Sequence, residues 1–167
     1  MKKEEIYFVE KQRLSYWLLI GVIILAFAIR LIKLIMHNKA ITFDRFDDIL
    51  ISVAIIFSIY LICVMKTFIN EDGIYVKFLP FMWKYKFISW ENVENANIKK
   101  YRPILESGGW GMRFDLFSKA KKTYYTTRGN IGLQLELKNG KNVLIGTQQP
   151  QEIEEVLKKL NIGKFAE

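Results

Sequence analysis

The chain has 167 residues, 51% of them apolar and 25% charged, with a formal net charge of +8, one cysteine and one histidine. A single cysteine excludes a disulfide framework, and His37 and Cys63 both fall in or beside long apolar runs, which leaves no Cys/His or Ser/His dyad for the rest of the chain. The length allows one ordinary domain plus a smaller element.

Two apolar runs come first. SYWLLIGVIILAFAIRLIKLIM covers Ser15 to Met36 and is broken only by Arg30 and Lys33, and ILISVAIIFSIYLICVM covers Ile49 to Met65 without a charge. A bilayer core of roughly 30 Å takes about 20 helical residues, so the runs predict a transmembrane hairpin with spans at 15–36 and 49–65 and an amino-terminal tail before them. The connection HNKAITFDRFDD is short. Lysine and arginine counts on the flanks are nearly balanced, and the lysine-rich domain after the second span favours both termini in the cytoplasm, which predicts a multi-pass protein of the cell membrane.

After Thr67 the pattern turns to strands. TFIN and IYVKFLPF flank Glu71, Asp72 and Gly73, an acidic-Asp-Gly hairpin signal. KYKFISW and NVENANIKKYR follow, then the loop ESGGWG, and MRFDLF and KKTYYTT bracket Ser118 to Ala120. GNIGLQLEL alternates Ile131, Leu133, Leu135 and Leu137 with Gly132, Gln134 and Glu136, and Asn139-Gly140 turns it into KNVLIGTQ. The expectation is a meander of about seven antiparallel strands. In PQEIEEVLKKL the period changes: Ile153, Val156, Leu157 and Leu160 recur at i, i+3, i+4 and i+7, with Pro150 at the start, acids in the first turn and Lys158 and Lys159 in the last. This predicts one helix whose apolar stripe caps the sheet.

The glycine loop invites a ligand. A Walker-type loop requires GxxxxGK followed by Ser or Thr, and ESGGWGMRF has no lysine and no hydroxyl in that place; a dinucleotide GxGxxG is incomplete, because Phe114 stands where its third glycine belongs. The loop therefore reads as a strand corner, or as a recognition loop in which Trp110 and Arg113 contact a partner. Lysine and arginine exceed aspartate and glutamate by two over residues 1–65 and by six over residues 66–167. Most of that surplus lies between Asn97 and Tyr125, and Lys119, Lys121 and Lys122 form a candidate basic patch for a membrane surface with anionic lipid.

GGWGMR from Gly108 to Arg113, GNIGLQLELKNGKNVLIGTQQP from Gly129 to Pro150, and ISW from Ile88 to Trp90 resemble bacterial pleckstrin-homology-like (PH-like) domains that follow two membrane spans in uncharacterised proteins. The resemblance covers Thr67 to Leu160 and implies two nearly orthogonal sheets closed by a helix. It implies no activity. An inositol-lipid site in the first strand connection is disfavoured, since Asn70, Glu71, Asp72 and Gly73 make that turn acidic.

The fold class expected is thus an α+β membrane protein: a two-helix transmembrane hairpin within residues 1–66, a PH-like β domain with a carboxy-terminal helix at 67–162, and a short tail at 163–167. The function expected is a tethered interaction or scaffold module for a protein or peptide partner, integral to the bilayer, with an accessory subunit of a transporter or channel as the alternative. No enzyme activity, cofactor, metal site or nucleic-acid partner is expected.

Overall fold

A computed structural model describes residues 5–14, 16–37, 46–115 and 121–162. Its elements run β1 (Ile6–Arg13), α1 (Tyr16–His37), α2 (Phe46–Ile62), β2 (Val64–Asn70), β3 (Gly73–Leu79), β4 (Lys86–Ser89), β5 (Val93–Lys100), α3 (Pro103–Ser107), β6 (Gly111–Asp115), β7 (Lys122–Thr126), β8 (Ile131–Leu137), β9 (Asn142–Gly146) and α4 (Pro150–Lys159). A single 3-10 turn, Trp90–Asn92, joins β4 to β5. The chain divides into two compact units: residues 1–13 together with 64–167, and residues 14–63.

The larger unit is mostly β. One sheet has the order β1-β2-β3-β4 and is antiparallel throughout; the other has the order β5-β8-β9-β7-β6. Strands β7 and β9 pair in parallel, from Lys122↔Asn142 to Tyr125↔Ile145. Inward-facing positions of both sheets meet in one core that includes Met65, Ile69, Ile74, Val76, Phe78, Ala96, Tyr125, Leu133, Leu135 and Ile145. Helix α4 lies over β1, β5 and β8 and so touches both sheets. It buries Ile153, Val156 and Leu157, each contributing about 1.5–3 kcal/mol by removal from water.

The β2–β3 hairpin forms at the acidic turn, and its organiser is Asn70. The Asn70 Oδ1 accepts the backbone N–H groups of Asp72 at 3.1 Å and Gly73 at 2.9 Å. The Asn70 carbonyl takes the Trp90 indole N–H at 3.0 Å, which pins the link between the sheets.

Strand β1 was not expected. Residues read from the sequence as an amino-terminal tail pair with β2 from Ile6↔Asn70 to Arg13↔Val64, so the helical unit is inserted between two adjacent strands of one sheet. Val64 and Met65, which extend the second apolar run, belong to β2, where they are buried. Among the described residues, the meander of about seven antiparallel strands becomes nine strands with one parallel pair. Alternation marks a strand and its faces but carries no information on which neighbour it pairs with, or in which direction.

The membrane architecture is also corrected. Among the described residues, no helix is long and apolar enough to cross a membrane. Helix α2 has 17 residues, about 26 Å at 1.5 Å per residue against a hydrocarbon core of roughly 30 Å, and Asp47 and Asp48 stand in its first turn. Helix α1 has 22 residues, but Arg30 and Lys33 interrupt its apolar sequence. The transmembrane hairpin and the multi-pass cell-membrane location are therefore withdrawn. The helices touch each other and leave Ile24, Leu25, Phe27, Ile32 and Ile55 exposed. Residues 38–45, the expected hairpin loop, lie outside the described residues.

Buried polar side chains of β1 join the sheets. The Gln12 Nε2 donates to the Gly146 carbonyl at 2.8 Å, and its Oε1 accepts from the Thr127 hydroxyl at 2.6 Å. The Glu10 carboxylate accepts from the Thr147 hydroxyl at 2.7 Å and from the Gln148 N–H at 2.8 Å. Gln12→Ala strands the Gly146 carbonyl and the Thr127 hydroxyl in the interior, at about 1–3 kcal/mol for each buried unsatisfied group. The urea midpoint of this variant is expected to fall clearly below wild type, whereas exposed Lys141→Ala stays within about 0.5 kcal/mol; equal midpoints for the two variants would remove the network from the stability of the fold.

Candidate functional site

The outward face of the five-stranded sheet gathers the polar side chains that alternation turns away from the core. Register places Asn97, Gln134, Leu144, Tyr124 and Arg113 in one row across all five strands. A second row holds Asn95, Glu136, Asn142, Lys122 and Asp115. Tyr101, just after β5, packs with Tyr124 and Leu144 as a small cluster apart from the main core.

Around this cluster lies a shallow recess of about 40 Å³, open to solvent, lined by Lys99, Tyr101, Glu106, Lys122, Tyr124, Gln134 and Asn142 among others. Helix α3 supplies Glu106. The Arg102 N–H donates to the Glu106 carboxylate at 3.0 Å, so the same acid also closes the first turn of its own helix. Ile104 and Leu105 on that helix are 73% and 76% exposed, unusual for side chains of their size.

The glycine turn that follows α3 is a corner. Gly108, Gly109 and Gly111 have φ of +67°, +111° and +128°, a backbone region that side-chain-bearing residues rarely adopt. Gly108 caps α3 through its N–H to the Pro103 carbonyl. The Arg113 guanidinium folds back over the turn, about 3.5 Å from where a Cβ on Gly109 would stand. The Trp110 indole N–H donates to the Gly129 carbonyl at 3.0 Å, which ties the corner to the β7–β8 connection.

The two candidate contact residues therefore have different surroundings. Trp110 is half-buried and anchored, while Arg113 is exposed and stands opposite Tyr124 in the first row of the outward face. Of the candidate basic patch, Lys122 lines the recess, Lys121 is exposed beside it, and Lys119 lies outside the described residues. Lys99, Glu106 and Tyr101 fall in the basic stretch between Asn97 and Tyr125 but were not candidate site residues, and Gln134 and Asn142 were not singled out from the sequence. Lys99 and Gln134 show as polar alternation, but nothing local announces that β5 pairs with β8.

Burial pushes the Tyr101 phenol up to about 12, opposed by a hydrogen bond with the Thr126 side chain. Burial also raises Tyr124, with the Asp115 and Glu106 carboxylates adding to the shift. Both are neutral phenols across the physiological range, able to donate and accept hydrogen bonds between the lysines. Among the described residues, no group of three His, Cys, Asp or Glu side chains is placed to hold a metal ion.

The raised Tyr101 value fixes a sign. The folded state holds the phenolic proton more tightly than the unfolded chain, so the contribution is fully present below pH ~10, the unfolded value, and is lost as pH rises through about 12. Tyr101→Phe is expected to flatten the fall of stability between these limits, measured by denaturant titration at several pH values; an unchanged slope would mean that the phenol is not desolvated.

A family model matches residues 4–161 and is described as DUF6141, a family of unknown function. No curated protein and no solved structure matches the chain. The match spans both the helical insertion and the β unit, and it replaces the resemblance to PH-like proteins with two membrane spans. The chain belongs to the DUF6141 family.

Proposed function

We propose that the chain is an interaction module and that the outward face of its five-stranded sheet binds a protein partner through a short segment carrying acidic and apolar residues. The observation that supports this reading is the recess itself. Lys99 and Lys122 border two neutral tyrosines and two amides, with the exposed Ile104 and Leu105 on the adjoining helix. Lysine ammonium groups select carboxylates, and electrostatic complementarity sets register and encounter rate. The apolar pair supplies the contact area that charge alone does not, and the tyrosines and amides offer hydrogen bonds to a peptide backbone. Arg113, opposite Tyr124 on the edge strand β6, adds a cation near the glycine turn.

The test is titration of the full-length chain with synthetic peptides in which Asp or Glu flanks Leu or Phe, against the same peptides with Lys in place of the acids. The acidic peptides are expected to bind, and Lys99→Glu combined with Lys122→Glu is expected to weaken them at least about tenfold, equivalent to about 1.4 kcal/mol. Ile104→Ser with Leu105→Ser should weaken the same peptides without altering the preference for acid. Absence of binding, or equal binding by the charge-reversed variant, refutes the assignment.

A further inference from the structure

The opposite face of the molecule has a different charge pattern. In the four-stranded sheet, register sets Lys11 opposite Lys66 and Lys66 opposite Lys77, so three lysines stand side by side on β1, β2 and β3. Arg13, two residues beyond Lys11, shares that face and is exposed. Among the described residues none of these four forms an ion pair; the Lys77 ammonium instead lies 5.5 Å from the Tyr85 ring centre.

No acid answers them from their own sheet. The one carboxylate within β1–β4, that of Glu10, points inward to Thr147 and Gln148. Glu71 and Asp72 occupy the β2–β3 turn, four residues or more along β2 from Lys66, at least ~13 Å at about 3.3 Å per residue. The neighbouring row is Val9, Phe68, Tyr75 and Phe87. Phe68 and Tyr75 stack with ring centroids 4.3 Å apart, and Phe87 lies tilted against Tyr75 at 4.6 Å. That row bounds the cationic strip on one side and contributes no charge.

Like charges directly opposite across strands destabilise a sheet. Strand centres about 4.8 Å apart bring such ammonium groups within reach of a single compact anion. A phosphate monoester or diphosphate suits this spacing better than a carboxylate, since it carries more charge and offers oxygens in several directions to point-like ammonium donors. We infer that Lys11, Lys66 and Lys77, with Arg13 beside them, form a binding site for a phosphorylated ligand. The site is separate from the recess on the five-stranded sheet and does not depend on the peptide-binding reading. Two sources share the chemistry, a soluble phosphate compound and the headgroup of an anionic phospholipid.

The full-length chain is titrated with inorganic tripolyphosphate, and separately with vesicles of phosphatidylcholine with or without phosphatidylglycerol. Binding to at least one phosphate-bearing probe is expected, to weaken with added salt and to fall at least about tenfold in Lys66→Glu with Lys77→Glu. Tripolyphosphate binding assigns a soluble ligand; binding confined to phosphatidylglycerol vesicles assigns a headgroup. Lys99→Glu with Lys122→Glu, on the other face, should leave both titrations unchanged. The inference is overturned if neither probe binds, if the Lys66/Lys77 variant binds as well as wild type, or if polyglutamate competes as effectively as tripolyphosphate. A circular dichroism spectrum matching wild type establishes that the reversed variant is folded.

Discussion

The β unit depends on a polar clasp in its interior. Strand β1 is an edge strand of the first sheet, yet its inward side chains at two successive core positions are Glu10 and Gln12, both buried. Apolar side chains there would add burial but would tie β1 to nothing in particular. The carboxylate and the amide instead reach the end of β9, the Thr147–Gln148 connection and Thr127, all belonging to the second sheet or its turns. Because a buried polar group without a partner is costly, these bonds define one arrangement of the two sheets rather than a family of slipped ones. Glu10 also sits just ahead of α4, where the positive end of the helix dipole favours a carboxylate.

That clasp explains how the chain accommodates a long insertion. The helical unit leaves the sheet after Arg13 and returns at Val64, directly opposite in register. A hairpin of two residues would close the same pair of strands. With so many residues between them, loop closure favours the β1–β2 pairing less, and the cost must be met by contacts that β1 makes elsewhere. The polar bonds to the second sheet and the contact with α4 are those contacts.

The outward faces of the two sheets then differ for a simple reason. On the five-stranded sheet one row carries both signs, with Lys122 opposite Asp115, and Glu106 of helix α3 borders a recess. On the four-stranded sheet the row Lys11, Lys66 and Lys77 holds only cations, and the row beside it holds Val9 and three aromatic rings. Mixed charge around a depression suits a shaped, partly apolar ligand; unmixed positive charge suits a small, highly charged one.

Local chemistry was legible along the chain. The acidic turn at Glu71 to Gly73, the Asn139-Gly140 turn, the helix at Pro150 and the corner at Gly108 to Gly111 each follow from residues adjacent in sequence, because turn geometry, capping and 3.6-residue periodicity are short-range effects. The apolar runs were legible as helices as well, but their ends were not: Val64 and Met65 are as apolar as the residues before them and yet serve as core positions of a strand. Everything that makes a site required pairing. Lys11, Lys66 and Lys77 are far apart in the chain, as are Lys99 and Lys122, and no local signal relates them; Glu10 and Gln12 read as tail polarity until their partners in the second sheet are known. The sequence by itself determined most strands after Thr67, their turns and helix α4, since those preferences act over a few residues; β1 and the short helix α3 went unread, because nothing local marks them. Only the tertiary structure decided which strands are neighbours, and with them which charges share a face, because pairing is settled by burial and hydrogen bonding between segments that meet only in the folded chain.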